Sequence, residues 1–212
     1  MGENLIVKTA DFAMSFMAQY ISEGDVVIDA TLGNGNDTLK LANLVGISKG
    51  KGQVYSFDIQ EEALRTSQEL LTKNNLEFIY VKDKERSLEN IIKKEDGGIY
   101  LYLDSHENIT NHVNTEIAGA IFNLGFLPGY DKTIATKWET TLFAINGILK
   151  KLKVNGIIVI VFYPGQPEGK REMEEITEFM AQLPQNSFHC YFLDAINQAE
   201  TAPCIGLITK KK

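Results

Sequence analysis

Short apolar stretches alternate along most of the chain with longer segments in which apolar side chains recur at helical spacing. The short stretches predict buried strands, and the helical spacing predicts amphipathic helices that cover them. The predicted strands are residues 26–29, 53–58, 99–104, 118–125, 156–163, 187–193 and 204–209. The predicted helices are residues 9–22, 38–45, 61–74, 136–152 and 170–183.

The order of these elements predicts the fold class. Strands alternate with helices until the last two strands, which follow each other without a helix, and such alternation is typical of a parallel sheet covered on both faces. We predict one α/β domain over residues 1–212: a Rossmann-like three-layer sandwich with a mostly parallel seven-stranded sheet and a C-terminal antiparallel hairpin. This is the arrangement of class I methyltransferases that use S-adenosylmethionine (SAM), whereas a dinucleotide dehydrogenase more often continues the parallel pattern.

The middle of the chain allows two interpretations of the third core strand. Residues 77–82 have the composition of a strand, and apolar spacing over 85–95 suggests a helix, but residues 99–104 also form a strand pattern. Periodicity alone does not separate the two. We expect 99–104 to be the core strand and the unit of about 77–98 to be an insertion.

The first strand leads into a glycine turn that carries the main functional signal. Val26 to Asp29 is followed by Gly33-Asn34-Gly35 and then by a helix, which is the architecture of a nucleotide-cofactor loop. Thr38 stands where the dinucleotide pattern has its third glycine. Asp29 would repel a pyrophosphate but suits a ligand that carries an ammonium, such as SAM. A turn that is glycine-rich for geometry alone is the alternative.

A second acid follows the second predicted strand. Asp58 lies 25 residues beyond Gly33, close to the distance at which an acid binds the ribose hydroxyls of a bound nucleotide. The alternative is a helix cap, because Glu61 and Glu62 begin a helix directly afterwards. Two acids at the ends of neighbouring strands, beside a glycine loop, favour the cofactor.

Composition and charge narrow the classes of partner. The formal net charge of −7 argues against broad nucleic-acid binding but leaves room for a local basic patch on an RNA enzyme. No apolar run approaches the length of a membrane span, and Met1 to Leu5 lacks a signal-peptide pattern, so we expect a cytoplasmic protein that does not bind membranes. The two cysteines and three histidines do not cluster, so no metal site is expected.

With these elements placed, the sequence resembles the bacterial tRNA 5-aminomethyl-2-thiouridine methyltransferases, a family also labelled rRNA methylases. The resemblance implies a class I fold, SAM as cofactor, and methylation of the exocyclic amine of the modified wobble uridine in the tRNA anticodon loop. The stretches that carry it are spread over nearly the whole chain, and 122–132 is the most specific. They are Asp-Ala-Thr-Leu-Gly-Asn-Gly-Asn-Asp-Thr (29–38), Phe-Asp-Ile-Gln-Glu (57–61), Ser-His (105–106), Phe-Asn-Leu-Gly-Phe-Leu-Pro-Gly-Tyr-Asp-Lys (122–132) and Pro-Glu-Gly-Lys (167–170).

The resemblance and the strand-end positions together give a set of expected site residues. We expect SAM to be bound by Asp29, Thr31, Gly33, Asn34, Gly35, Asp37, Thr38, Asp58, Ile59, Gln60, Ser105, His106 and Asn123. Catalysis is assigned to Asn123, Leu124 and Tyr163, with the oxygen of Asn123 and nearby backbone carbonyls accepting the hydrogens of the amine. The nucleotide is expected to contact Phe126, Pro128 and Lys132.

Each of these assignments has a purely structural alternative. Asn123 could close a strand–helix turn, His106 could cap a helix, and Lys132 could be a solvated loop charge. The family usually has His where this chain has Asn36, and Tyr-His-Gly-His where it has Tyr-Pro-Gly-Gln at 163–166. These departures keep open another RNA position or a small molecule as methyl acceptor, and a noncatalytic SAM-binding partner protein. A homodimer is also left open.

Overall fold

The computed structural model describes residues 8–81, 97–126, 129 and 135–212. Within them, eight strands and six helices alternate in the predicted manner. The strands are β1 (Val26–Asp29), β2 (Gln53–Asp58), β3 (Ile79–Val81), β4 (Gly98–Leu103), β5 (Ile117–Asn123), β6 (Leu152–Phe162), β7 (Phe188–Leu193) and β8 (Cys204–Lys210). The helices are α1 (Thr9–Tyr20), α2 (Asn36–Val45), α3 (Glu61–Lys73), α4 (Ile109–His112), α5 (Trp138–Lys151) and α6 (Pro167–Gln182).

All the described strands belong to one sheet in the order β3-β4-β2-β1-β5-β6-β8-β7. Strands β3, β4, β2, β1, β5 and β6 run parallel, and β8 pairs antiparallel with both β6 and β7. The predicted fold class and the antiparallel hairpin at the C-terminus are therefore confirmed. Because the parallel strands share one direction, the ends of β1, β2, β4, β5 and β6 meet at one edge of the sheet.

The predicted number of seven strands is wrong, because the sheet has eight. The third core strand is β4, Gly98–Leu103, shifted by one residue from the predicted 99–104, and it pairs with β2 along its whole length. Ile79–Val81 adds a three-residue edge strand beside β4, in the register Ile79↔Tyr100 to Val81↔Tyr102. This segment lies within residues 77–82, which have the composition of a strand, but an edge strand this short leaves too little periodicity to distinguish a strand of the sheet from an insertion. Residues 82–96, the rest of the predicted insertion, lie outside the described residues.

Helices cover both faces of the sheet, which explains the nearly continuous apolar strands. One core cluster lies under α1, α2 and α3 and includes Met17, Leu41 and Leu64. The other lies under α4, α5 and α6 and includes Ile109, Ile145 and Ile176. The stretch 157–162 of β6 is buried throughout, as expected for a strand with a helix layer on each side.

Helix α6 begins earlier than predicted. Residues 164–169 were expected to form a loop, but Pro167 starts the helix. Proline is favoured at this first position because its fixed φ suits a helix and its missing N–H would have no partner there. None of the described helices is both long and apolar enough to cross a membrane.

Candidate active site

The glycine turn after β1 is fastened to the neighbouring strand and helix by its backbone. Gly33 and Gly35 both adopt positive φ, at 49° and 79°. The Gly33 N–H donates to Oδ2 of Asp58 over 3.0 Å, and the Gly33 carbonyl accepts from Oγ of Ser67 over 3.0 Å. A Cβ at Gly35 would lie 2.8 Å from Oγ and 3.0 Å from Cα of Ser67. The turn therefore requires glycine at position 35 and favours it at position 33, and α2 begins directly after it.

Asp29, at the end of β1, is completely buried. Its carboxylate accepts from the Thr38 hydroxyl over 2.7 Å and from the Thr31 N–H over 3.2 Å. Burial, followed by the nearby charge of Asp37, raises the pKa of Asp29 to about 7. Asp29 thus holds the glycine turn together from beneath, and a ligand would sense its charge without touching it in this arrangement.

Asp58 ends β2 and faces the same turn. In addition to the Gly33 N–H, its carboxylate accepts from the Gln60 N–H over 3.0 Å. Burial raises its pKa, against the lowering effect of these backbone donors. The next residue, Ile59, exposes 59% of its surface. An acid with lone pairs to spare beside an exposed apolar side chain suits the ribose and base of a nucleoside.

Asn123 and Asp37 are brought together although they lie far apart in the sequence. Nδ2 of Asn123, at the end of β5, donates to Oδ2 of Asp37 over 3.3 Å. The backbone N–H of Asn123 donates to the Thr31 hydroxyl over 2.7 Å, which joins the end of β5 to the start of the glycine turn. Asp37 is 8% exposed, and burial raises its pKa against the opposing charge of Lys40.

Lys40 connects this site to the N-terminal helix. Its Nζ lies 3.6 Å from Oδ1 of Asp37 and donates to Oδ1 of Asp11, on α1, over 2.7 Å. The ammonium is thus shared between a buried acid of the site and an exposed acid of the covering helix. Such half-exposed pairs contribute little to stability, but they set the local charge.

The remaining residues assigned to catalysis and substrate differ in exposure. Tyr163 is 39% exposed after β6, and its pKa is raised by burial and then by the charge of Asp37. Leu124 is 4% exposed and its side chain belongs to the core, so only its backbone could serve the reaction. Phe126 is 39% exposed, next to the bridge that it forms with Ala135. Pro128 and Lys132 lie outside the described residues.

Ser105 and His106 have clear structural roles. The Ser105 hydroxyl caps a short 3-10 helix, His106–Asn108, by accepting from the Glu107 N–H over 3.3 Å. The His106 ring donates to the Ala30 carbonyl, and its Nε2 lies 3.1 Å from Oγ1 of Thr140. Burial lowers the pKa of His106 to about 4, so the ring is neutral at physiological pH.

The positions where this chain departs from the resembled family lie mainly at the surface. Asn36 is exposed at the first position of α2, and Gln166 is exposed before α6, whereas Pro164 is buried. Asn34, between the two glycines, is half-buried. Imidazoles at positions 36 and 166 would therefore stand at the surface, whereas one at position 164 would be buried.

One connected group of residues was missed by the sequence-based reasoning. Thr136 and Thr141 donate from their hydroxyls to Glu172, a buried acid in α6, over 2.7 Å and 3.0 Å. Thr136 also holds the backbone of Gly125, just after Asn123. The sequence carries one usable signal, a glutamate among the apolar positions of an amphipathic helix.

The electrostatics of the site distinguish between classes of cofactor. Three carboxyls with raised pKa values, from Asp29, Asp37 and Asp58, surround one glycine turn. A pyrophosphate would add negative charge to this group, whereas the sulfonium and ammonium of SAM would neutralise it. The described residues thus fit SAM and disfavour a dinucleotide.

Comparison with known proteins agrees with this geometry. The model of the family described as "Putative rRNA methylase" matches residues 54–209. The chain is 32% identical, over 97% of its own length and 70% of the relative's, to tRNA (mnm(5)s(2)U34)-methyltransferase, chloroplastic, of Arabidopsis thaliana.

Two solved structures are similar along nearly their whole length. A "putative rRNA-methylase" from Clostridium thermocellum has 33% identity and a TM-score of 0.82, with 97% of this chain and 98% of that chain covered. A "putative methyltransferase" from Streptococcus mutans, solved in complex with SAH, has 32% identity and a TM-score of 0.78, with 97% and 99% covered.

The fold, the glycine turn and these relatives define the class: the protein is a SAM-dependent methyltransferase of class I, and SAM is its cofactor. Within that class, the chain belongs to the rRNA methylase family.

Proposed function

We propose that this enzyme methylates the amino nitrogen of the aminomethyl group on the modified wobble uridine of tRNA, within the anticodon loop. The observation that carries the proposal is the Asp37–Asn123 pair beside Tyr163, where an amine can be oriented and relieved of a proton. The name of the Arabidopsis thaliana relative, which specifies the same tRNA position, supports it.

A primary alkyl amine needs help before it can be methylated. Its pKa in water is about 10, so at neutral pH it carries a proton on the lone pair that must attack. A buried carboxylate attracts the ammonium and provides an acceptor for the proton. Asp37 is such a carboxylate, and its raised pKa makes it a better proton acceptor than an ordinary aspartate.

Asn123 supplies orientation. Because its Nδ2 donates to Asp37, the amide is fixed with Oδ1 as its remaining acceptor, and none of the described residues donates to that oxygen. An N–H of the acceptor amine would therefore bind Oδ1, and the nitrogen lone pair would be held in one direction. Tyr163 is near enough for the charge of Asp37 to add to burial in raising its pKa, so its hydroxyl stays protonated.

The residues that would hold SAM are the glycine turn with Asp58 and Ile59. Bound SAM supplies a methyl group on a sulfonium, which makes the transfer an in-line displacement in which placement contributes most of the acceleration. The half-exposed ring of Phe126 suits stacking against a base. Asp29 adds its charge from beneath the turn.

A second candidate acceptor is ribosomal RNA, which the description of the matching family favours. Its chemistry would differ, because a base nitrogen or carbon of rRNA carries no ammonium. Asp37 would then have no ammonium to deprotonate before the attack, and a proton would leave the base only with or after methyl transfer. The two candidates therefore make different demands on the same carboxylate.

Nucleoside mass spectrometry of RNA from a deletion strain tests the proposal. We expect 5-aminomethyl-2-thiouridine to accumulate in tRNA, and its methylated form to return when the gene is restored. Restoration with Asn123→Ala should fail, which ties the product to this site. Unchanged tRNA nucleosides with a methyl group missing from rRNA would favour the second candidate.

A further inference from the structure

Glu172 is a buried carboxylate that has no cationic partner among the described residues. It is 3% exposed, and its two oxygens accept from the hydroxyls of Thr136 and Thr141. A buried charge held only by hydroxyls is expensive, and an apolar side chain of similar size is often at least as stable in such a place. The position therefore invites an explanation other than stability.

The Thr136 hydroxyl, which donates to Glu172, is also hydrogen-bonded to the backbone near Asn123, the residue proposed to orient the methyl acceptor. The Gly125 N–H donates to Oγ1 of Thr136 over 2.9 Å, and the Thr136 N–H donates to the Gly125 carbonyl over 2.9 Å. Phe126 and Ala135 form a β-bridge beside them. These contacts hold together the two ends of the connection between β5 and α5, two residues after Asn123. We call the hydrogen bonds that join Gly125, Thr136 and Glu172 the clasp.

The direction of these hydrogen bonds requires an acceptor at residue 172. Since Oγ1 of Thr136 accepts from Gly125, its own hydrogen must be donated elsewhere, and Oε2 of Glu172 receives it at 2.7 Å. A carboxylate can accept from both threonines at once. The amide of a glutamine offers only one oxygen, so one of the two threonines would have to stop donating and accept from the NH₂ group instead.

The second hydroxyl that donates to Glu172, that of Thr141, lies near His106. Oγ1 of Thr141 donates to Oε1 of Glu172 and lies 3.5 Å from Nε2 of His106, whose ring donates to the Ala30 carbonyl. Ala30 immediately precedes Thr31, which accepts from the Asn123 backbone. Since Thr141 donates its hydrogen to Glu172, it only packs against the neutral His106 ring, and the hydrogen-bonded connection from α6 to the site runs through Thr136.

We propose that Glu172 is a positioning residue that, through the Thr136 hydroxyl, fixes the backbone at Gly125 and so aligns Asn123 with the methyl acceptor. Glu172 itself touches neither substrate nor cofactor. The alignment of the methyl acceptor rests on the proposed role of Asn123. The clasp itself can be tested without any methyl acceptor.

The experiment uses two variants that cut the clasp and two controls. Thr136→Val removes the hydroxyl while keeping the shape, and Glu172→Gln removes one acceptor. Thr136→Ser keeps the hydroxyl. Thr177→Val, on the same helix as Glu172, removes a hydroxyl that, among the described residues, is bonded to the Met173 carbonyl alone. If Glu172→Gln fails to fold, Thr136→Val still carries the test.

Two readouts are compared. The chain has a single tryptophan, Trp138, which begins α5 two residues after Thr136 and lies under the Arg171 guanidinium, 5.6 Å from the ring centroid. Acrylamide quenching of its fluorescence reports on the clasp. Methyl transfer is measured on tRNA and rRNA fractions from the deletion strain, together with the Kd for SAH.

In Thr136→Val and Glu172→Gln, we expect acrylamide to quench the Trp138 fluorescence more steeply than in the wild type. We also expect kcat to be lower by about ten- to a hundredfold, the range typical of small misplacements of reacting groups. The Kd for SAH should stay within about twofold, since the SAM side is unaltered, and both controls should match the wild type. Wild-type quenching and kcat in the two variants would overturn the inference, as would altered quenching with unchanged kcat. If only rRNA accepts the methyl group, the proposed function fails, and the variants are judged on rRNA instead.

Discussion

Asp29 shows how a single residue sets the character of the site. It is fully buried, bonded to Thr38 and Thr31, and has two other acids in its surroundings. Its negative charge is therefore poorly solvated until a cation arrives. The same feature that makes the free protein unfavourably charged makes it selective for a cationic cofactor.

A pH dependence of stability follows from this burial. The pKa of Asp29 is raised from 3.8 to about 7, so between these values the folded state holds a proton that the unfolded chain has lost. This contribution to stability is greatest at low pH and declines as pH rises toward 7. We expect Asp29→Asn to remove the decline, and the melting temperature of the free wild type to fall by about 10 °C relative to the variant across this range.

The measurement is a thermal melt of both proteins over the pH series, with and without SAM. A bound cation favours ionised carboxyls, so the stabilisation by SAM should be larger at about pH 8 than at about pH 6 for the wild type. For Asp29→Asn, the stabilisation by SAM should differ less between about pH 8 and about pH 6. Parallel curves for the two proteins would contradict the buried, ligand-coupled carboxylate.

Asn123 gives the sharpest prediction at this scale. Asn123→Ala removes the oriented amide but leaves the glycine turn and Asp58 in place, so SAM affinity should be retained while kcat falls by about a hundredfold. Isothermal titration with SAH and a methyl-transfer assay measure the two quantities. Asn146→Ala, at an exposed position of α5 where Nδ2 donates only to the Leu142 carbonyl, is the matched control. Equal losses of affinity and turnover would argue for a mainly structural role of Asn123.

At the scale of elements, the junction of β6 and α6 positions both Tyr163 and Glu172. The first turn of α6 approaches the end of β6 so closely that a Cβ at Gly169 would lie 2.3 Å from the Tyr163 carbonyl oxygen. Only glycine permits this contact, because the obstructing atom belongs to the backbone. The early start of the helix at Pro167 brings the two elements into this contact.

Gly169→Ala should therefore push α6 away from β6. We expect a loss of about 1–3 kcal/mol in the free energy of unfolding, as for other overpacked sites, together with lower turnover through displaced Tyr163 and Glu172. Gly165→Ala is the control in the same segment, since its Cβ would meet only the Thr201 carbonyl oxygen at an ordinary 3.7 Å. Denaturant unfolding and the methyl-transfer assay of both variants provide the measurement. Equal losses of stability and turnover in Gly169→Ala and Gly165→Ala would contradict the close approach of α6 to β6.

Elements with strong local signals could be predicted from the sequence. The strand, glycine turn and helix around Gly33 follow from neighbouring residues, and the long apolar stretch of β6 could only be a central strand. The edge strand Ile79–Val81 lies within residues 77–82, whose composition indicates a strand, but three residues carry too little periodicity to place it in the sheet, and pairing with β4 decides the matter. The start of α6 was missed because proline was taken as a loop residue rather than as a first helical residue.

At the scale of the whole molecule, the parallel sheet gathers residues that the sequence keeps apart. Asn123 meets Asp37 across 86 positions and Thr31 across 92, solely because β5 lies beside β1. The sequence could predict that each lies at a strand end, but not which side chain donates to which. The residues predicted to be catalytic thus lie at one edge of the sheet. Their hydrogen bonds could be assigned only from the three-dimensional structure.

The whole molecule also separates two kinds of recognition. The acids around the glycine turn suit the cationic cofactor, whereas the half-exposed aromatic side chains of Phe126 and Tyr163 stand beside the ends of β5 and β6. The formal net charge of −7 makes broad attraction to RNA unfavourable, so an RNA substrate must be recognised locally. We infer that the acceptor enters from the β5–β6 side.

Methyl transfer by the purified enzyme to defined RNA tests the central claim most directly. Wild-type protein is incubated with methyl-labelled SAM and with tRNA or rRNA from a deletion strain, and the digested nucleosides are separated and identified by mass. We predict that label appears in tRNA as the methylated form of 5-aminomethyl-2-thiouridine, and that Asn123→Ala slows its appearance by about a hundredfold while Asn146→Ala does not. Label confined to rRNA or to another tRNA nucleoside would contradict the proposed acceptor.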